Sequence, residues 1–302
     1  MHRSLMFLVA KFLISELEFI GGLMAKKFIM GEHCIIGDNV VLGENVRLGH
    51  NVIIENDVCI GNDVFIDNKT IIRKGVTLGD GSTIGANCIV GELQISFDKS
   101  AGIFLRRERP LSIGHKALIR SNTIIYGGSE IGDYFQTGHN VMIREKSIIG
   151  NYVSVGNYSD IQGSVKIGNY VRLHSNDRVE QFSQIDDYVW IFPGVELTND
   201  PTPPSNDLVG VHVHSFAIIC AKALILAGRE VMGDSLVAAG AVVTKDVEQY
   251  TVVAGNPARV IADVRDIRSK ITGRPVYPWR YYFDRAMPWE DVGYDLWQKS
   301  KV

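Results

Sequence analysis

A parallel β-helix is the fold this sequence predicts, and three observations predict it. An aliphatic residue recurs every six positions, a small or β-branched residue stands two places before it, and the period holds through most of the 302 residues. Period six fits neither the 3.6 of an amphipathic helix nor the alternation of a hairpin meander. It fits short strands joined by corners, three to a coil, with each coil hydrogen-bonded to the next.

The first block of hexads starts at Met30 and runs without a slip through Ile36, Leu42, Leu48, Ile54 and so on to Val90. Glycine commonly follows the aliphatic residue, as at Gly37, Gly43 and Gly49, and Gly or Asn is expected to accept the unusual backbone angles of corners. A second block covers Ile113 to Leu197 and a third resumes at Ile219 and ends at Val243. Together they amount to about ten coils. The second block lapses once, at Thr137, which opens the hexad carrying His139. Sequences tend to break local rules at functional sites.

Two insertions interrupt the register, at 92–112 and 200–218, and repeat proteins place such loops on one face, often the binding face. The chain therefore divides into an N-terminal cap or helix over 1–29, a β-helix domain over 30–262 and an aromatic-rich, short helical or extended tail over 263–302. Residues Asp263 to Lys270 are expected to form a short helix. The tail holds Trp279, Trp289 and Trp297, and such aromatic density needs a surface to pack on. A strap along its own prism or a neighbouring subunit is the expectation; stacking on a nucleotide base is the alternative. In the N-terminal segment Lys11, Glu16 and Glu18 interrupt the apolar run before it could span a bilayer. A membrane-surface helix there, or a true start at Met24 or Met30, stays open.

A net charge of −3 gives no polybasic signature, so nucleic acid is not the expected partner. The four cysteines show no metal-binding spacing. Cys34 and Cys88 are three coils apart at about 4.8 Å per coil, beyond the ~7 Å that a disulfide allows between Cα atoms. All four are read as reduced packing residues of a cytoplasmic protein.

Near the end stand Ala221-Lys-Ala-Leu-Ile-Leu-Ala-Gly228, then Gly233 to Val247 with Gly240-Ala-Val-Val-Thr-Lys245-Asp246, then Val253-Ala-Gly-Asn-Pro-Ala-Arg259. These segments, with the hexads before them, resemble the left-handed β-helix, hexapeptide-repeat acyltransferases, and in particular the nucleotide-sugar N-acetyltransferases. The left hand is implied by the resemblance, since ordinary crossover rules favour the right. The resemblance also implies a homotrimer with active sites between neighbouring prisms, acetyl-CoA as co-substrate with no metal, and a nucleotide-linked amino sugar as acceptor.

The resemblance implies roles for particular residues. Thr137-Gly138-His139-Asn140 matches the turn that carries the family's catalytic base, and histidine titrates near working pH, which suits proton removal from an attacking amine. Eighteen residues per coil stack Ser121, His139, Asn157 and Ser175 in one column and Asn122, Asn140, Tyr158 and Asn176 in the next. Asn140, Asn157 and Tyr158 are thereby candidates for acceptor binding, as is His174, nearly two coils from His139, with Asn199 and Asp200 added from the stretch before the long loop. Ala221 and Ala239 stack as small residues beside the pantetheine arm, between three and four coils from His139, and Lys245 and Arg259 would face the phosphates of CoA. No carboxylate shares the column of His139, so its partner acid is open. The alternatives are O-acetylation of a sugar or small alcohol by the same machinery, a γ-type carbonic anhydrase and a non-catalytic β-helix. His139, His174, His212 and His214 lack the histidine pair five residues apart that the carbonic anhydrase needs.

Overall fold

The computed structural model describes residues 28–301 except 99 and 102. The cap expected over 1–29 therefore falls almost wholly outside the described residues. Three parallel sheets form the faces of a prism. The first face runs from Ile29–Met30 to Thr251–Ala254, the second from Ile35–Ile36 to Val242–Val243, and the third from Val41–Leu42 to Glu230–Val231. They hold 13, 11 and 10 strands, the first including the antiparallel Arg259–Asp263. The hexads thus build about 12 turns where the sequence suggested ten, and the hexapeptide period fits the left-handed form.

The second residue of each short strand points inward, and stacked Ile54, Ile72, Val90, Ile125 and Ile143 are wholly removed from water. Full burial of one such side chain stabilises by about 1.5–3 kcal/mol. Asn and Gly do take the positive φ of the corners, as at Asn39 and Gly81, but the glycine that directly follows the aliphatic residue has another role. Positive φ falls two residues further on, at Asn39, Asn45, Asn51 and Asp57. Gly37 instead leaves room: a Cβ there would lie 2.7 Å from Asn56 N and closer still to its Oδ1. That oxygen accepts the Asp38 N–H at 3.0 Å, and Asn62 does the same for Glu44 one hexad later.

Both insertions are shorter than the sequence suggested. Gln94–Asp98 and Ile103–Arg107 pair as an antiparallel arm, but Leu111–Ile113 is already back in the third face. Likewise His212–Val213 and Ile218–Ile219 are regular coil strands, so the second loop ends near Gly210. The tail is a strap on its own prism. Trp279, Met287 and Trp289 are buried against Tyr188, Ile218, Leu236 and Val252, with a buried Arg280–Asp234 ion pair beneath. Where a helix was expected after Asp263 there is one 3₁₀ turn, Val264–Asp266, while Tyr294–Lys299 forms the chain's α-helix among the described residues. All four cysteines are free, and Cys59 is exposed where a packing residue was expected. Among the described residues no helix is long and apolar enough to cross a membrane.

Candidate active site

The lapse at Thr137 has a hydrogen-bonding cause. Elsewhere the N–H after a first-face strand donates to the carbonyl of the coil below, as Gly138 N does to Val155 O at 2.7 Å. Arg120 N instead donates to the Thr137 hydroxyl at 2.9 Å, and the freed Thr137 carbonyl accepts from Arg120 Nη1 at 2.6 Å. An aliphatic side chain could not replace that hydroxyl. Thr137, itself buried, thus fixes the Arg120 guanidinium over the outer surface of the first face.

Below Arg120 lies a groove of about 580 Å³, cut along the first face where it turns into the second. His139, Asn157 and Ser175 line it from the corner, and Gln136, Ser154, Arg172 and Trp190 from the strands. His174 and Arg285 of the strap complete it. Two glycines open the space: Gly138 and Gly156 occupy, in the two coils above, the place where the His174 side chain stands.

His139 is exposed, and its main chain is fixed from below, its N–H donating to Asn157 Oδ1 at 2.7 Å. Asn157 therefore holds the backbone of His139 in place. His174 lies nearly two coils further down, roughly 10 Å along the axis, stacked on Phe192 with ring centroids 4.9 Å apart. Burial, and then the Arg172 charge, hold its pKa below the ordinary histidine value, so it favours the neutral, proton-accepting form.

The charge of the groove is one-sided. Arg120, Arg172 and Arg285 line it, and no carboxylate does. Arg172 is half-buried, its guanidinium over the Trp190 ring, and among the described residues its side chain has no hydrogen-bond or ion-pair partner. Burial and then Arg285 act against its charge and lower its pKa. Trp190 Nε1 is also buried without a partner. A guanidinium held flat and left unpaired is suited to phosphate or carboxylate oxygens.

The structure brings together His139, Asn157 and His174 of the residues expected at the site. Asn140 and Tyr158 sit in the adjacent positive-φ column outside the groove. Asn199 and Asp200 lie after a second-face strand, on another edge of the prism. There the Asn199 carbonyl accepts from Val209 N and the Asp200 carboxylate, its pKa lowered first by the Ser205 hydroxyl, closes a turn with Ser205 and Thr202. Ala221 and Ala239 do share the corner column of His139, through Asn157, Ser175 and Pro193. The separation of His139 and Ala221 is four coils, ~19 Å, because the loop adds fewer residues than expected. Arg259 returns antiparallel on the last first-face strand, opposite Ala254, whereas the exposed Lys245 follows a second-face strand toward the next edge. Sequence reasoning missed Arg120, Arg172, Trp190 and Arg285; the 18-residue spacing of Gln136, Ser154, Arg172 and the next strand's Trp190 was the available signal for the middle two.

Residues 60–92 match the family model described as bacterial transferase hexapeptide (six repeats). A 2,3,4,5-tetrahydropyridine-2,6-dicarboxylate N-acetyltransferase of Staphylococcus aureus is 41% identical over 86 residues, 28% of this chain and 35% of that protein. The chain thus spans about a third of the length of the curated relatives it matches. Among solved structures, a UDP-N-acetylglucosamine acyltransferase from Campylobacter jejuni is 17% identical with a TM-score of 0.40, over 80% of this chain and 79% of the other. An acyltransferase of the same description from Bacteroides fragilis is 17% identical with a TM-score of 0.36, over 80% and 74%. The repeat matched at 60–92 continues through all three faces of the prism, and the fold is a hexapeptide-repeat parallel β-helix.

Proposed function

We propose that the chain is an acetyl-CoA-dependent N-acyltransferase acting on the amino group of a nucleotide-linked sugar, with the first-face groove as its acceptor site. The observation that carries this reading is the groove's lining: two histidines, one exposed and one held toward neutrality, among three guanidiniums and no carboxylate. Arg120, Arg172 and Arg285 would receive the phosphates of the acceptor, and the corner column down to Ala221 and Ala239 gives the pantetheine arm its track. A curated relative that is itself an N-acetyltransferase supports transfer to nitrogen. In the reaction the amine attacks the thioester carbonyl, His139 takes the amine proton, a backbone N–H stabilises the oxyanion, and CoA leaves as the thiol. His139 has no acidic side-chain partner in this chain among the described residues, and we place that partner on a neighbouring subunit of a homotrimer. Lys245 and Arg259 would then meet the CoA phosphates from either side of the last coils.

The test is thiol release from acetyl-CoA with a panel of nucleotide-linked amino sugars and the corresponding hydroxy sugars. Turnover confined to the amines, lowered about 10²–10⁴-fold in His139→Ala, is the expected result. Turnover only with hydroxyl acceptors would replace the reading by O-acetylation, and undiminished turnover in His139→Ala would remove the base.

A further inference from the structure

On the third face, away from the groove wall, Asp186, His212 and His214 each aim one ligand atom into a common space, and these atoms lie within 4.8 Å of one another. Asp186 precedes the second loop and both histidines follow it, on strands that pair in parallel. We propose that these three residues form a binding site for a divalent late first-row transition ion, Zn²⁺ in the first instance, which pins the coil where the loop rejoins it.

Three features argue for an ion over a plain His–Asp pair. The first is spacing. His212 Nε2 stands 3.1 Å from Asp186 Oδ1, and His214 Nδ1 stands 3.5 Å from Asp186 Oδ2. Donors at 2.0–2.1 Å from a tetrahedral zinc are separated by about 3.3 Å. The second is an unresolved hydrogen bond. Gln184 Nε2 lies 3.1 Å from both His212 Nε2 and Asp186 Oδ1. If His212 Nε2 carries a proton it serves Asp186 but meets the Gln184 N–H; if it does not, its lone pair faces a carboxylate oxygen. Turning the Gln184 amide over only moves the mismatch onto Asp186. A cation between the lone pair and the carboxylate removes it. The third is the outer partner. Glu230 Oε2 lies 3.1 Å from His214 Nε2, the nitrogen that does not face the site. A carboxylate on the far nitrogen of a ligating histidine fixes its tautomer and turns the other nitrogen's lone pair toward the ion.

The charges also balance: one carboxylate and two neutral imidazoles around a dication leave a single positive charge, which Glu230 offsets. Imidazole with carboxylate suits zinc, cobalt and nickel over calcium or magnesium. The ligand side chains are a quarter to a third exposed, which leaves a fourth coordination position open to water.

The test uses the full chain, free of any tag, stripped with chelator and then given Zn²⁺ or Co²⁺. One ion per chain retained through gel filtration, a Co²⁺ visible spectrum of four-coordinate intensity, and a zinc-dependent rise in melting temperature are expected. The double variant H212A/H214A should lose all three, Glu230→Gln should bind about 10–100-fold more weakly, and His115→Ala, higher on the same edge, should bind as wild type. Failure of the wild-type chain to retain zinc at micromolar concentration overturns the site whatever the variants do, as does equal retention by a folded double variant. Shielding of His212 and His214 from acylation by added zinc, read by peptide mass, gives an answer without any variant.

Discussion

The Arg172 guanidinium lies 5.0 Å from the centre of the Trp190 ring, one coil below, and Arg285 reaches the same groove from the far end of the chain. The indole holds the guanidinium flat without neutralising it, so its hydrogen-bonding edge stays available to a ligand.

Replacing Arg172 by Gln should therefore weaken acceptor binding and spare the chemistry. Loss of one charge-assisted contact costs about 1.5–3 kcal/mol, equivalent to a KM for the acceptor raised roughly 10–100-fold. The KM for acetyl-CoA and kcat should change little. An equal loss in kcat would place Arg172 at the transition state instead.

The pKa of His174 is low because burial disfavours its cation and Arg172 repels it. In Arg172→Gln the imidazole should titrate higher than in the wild type and still below ordinary histidine, since the burial stays. Imidazole proton shifts followed by NMR against pH would show it. An unmoved titration would mean that the two charges do not sense each other.

A Cβ on Gly156 would come to 2.5 Å from both His174 O and Ser175 N. Both are backbone atoms, held in the ladder between coils, and cannot step aside. Gly156→Ala should cost about 1–3 kcal/mol in chemical denaturation and lower acceptor turnover by displacing His174. The same change at Gly240, whose added Cβ would meet nothing within 4 Å, faces only the strain of its φ of 69°.

Asp177 occupies an inward position where other coils carry Val153, Val165 or Ser159. Burial pushes its carboxyl up to about 8, against backbone donors that include Val195 N at 3.0 Å. The folded chain thus keeps a proton that the unfolded chain releases near pH 4. Stability from this group is full below about pH 4 and is lost as pH rises through about 8. Asp177→Asn should abolish that slope, and at pH 9 should exceed the wild type by on the order of a few kcal/mol. Urea midpoints at pH 5 and pH 9 decide it; parallel slopes in the two proteins would reject the raised pKa.

The coil columns were readable because the hexad period admits a single stacking: Ser121 above His139, and Asn157 and Ser175 below, follow from counting eighteens, and the ladder hydrogen bonds run between them. What the period constrains is the inward and corner positions. Arg172 and Trp190 point outward from their strands, where any residue fits the repeat, so no lapse marked them. Arg285 enters through the tail, folded back by Trp279 and Trp289 onto coils a hundred residues earlier, and no period links it to the groove. The loop boundaries failed for a related reason. Val213 stands 16 residues after Leu197, out of step with the count of six, yet His212–Val213 pairs regularly with Gln184–Ile185.

A stack whose turns touch only their neighbours ordinarily opens from either free end. Here the strap lies across the last turns, with Trp289 fully buried against Tyr188 and Phe216 while Val252 and Leu236 pack in the same cluster. To loosen the final turn, several aromatic contacts spread over successive turns must break together. The strap thereby opposes fraying from the C-terminal side of the described residues, tying together the turns that carry Tyr188, Ile218 and Leu236.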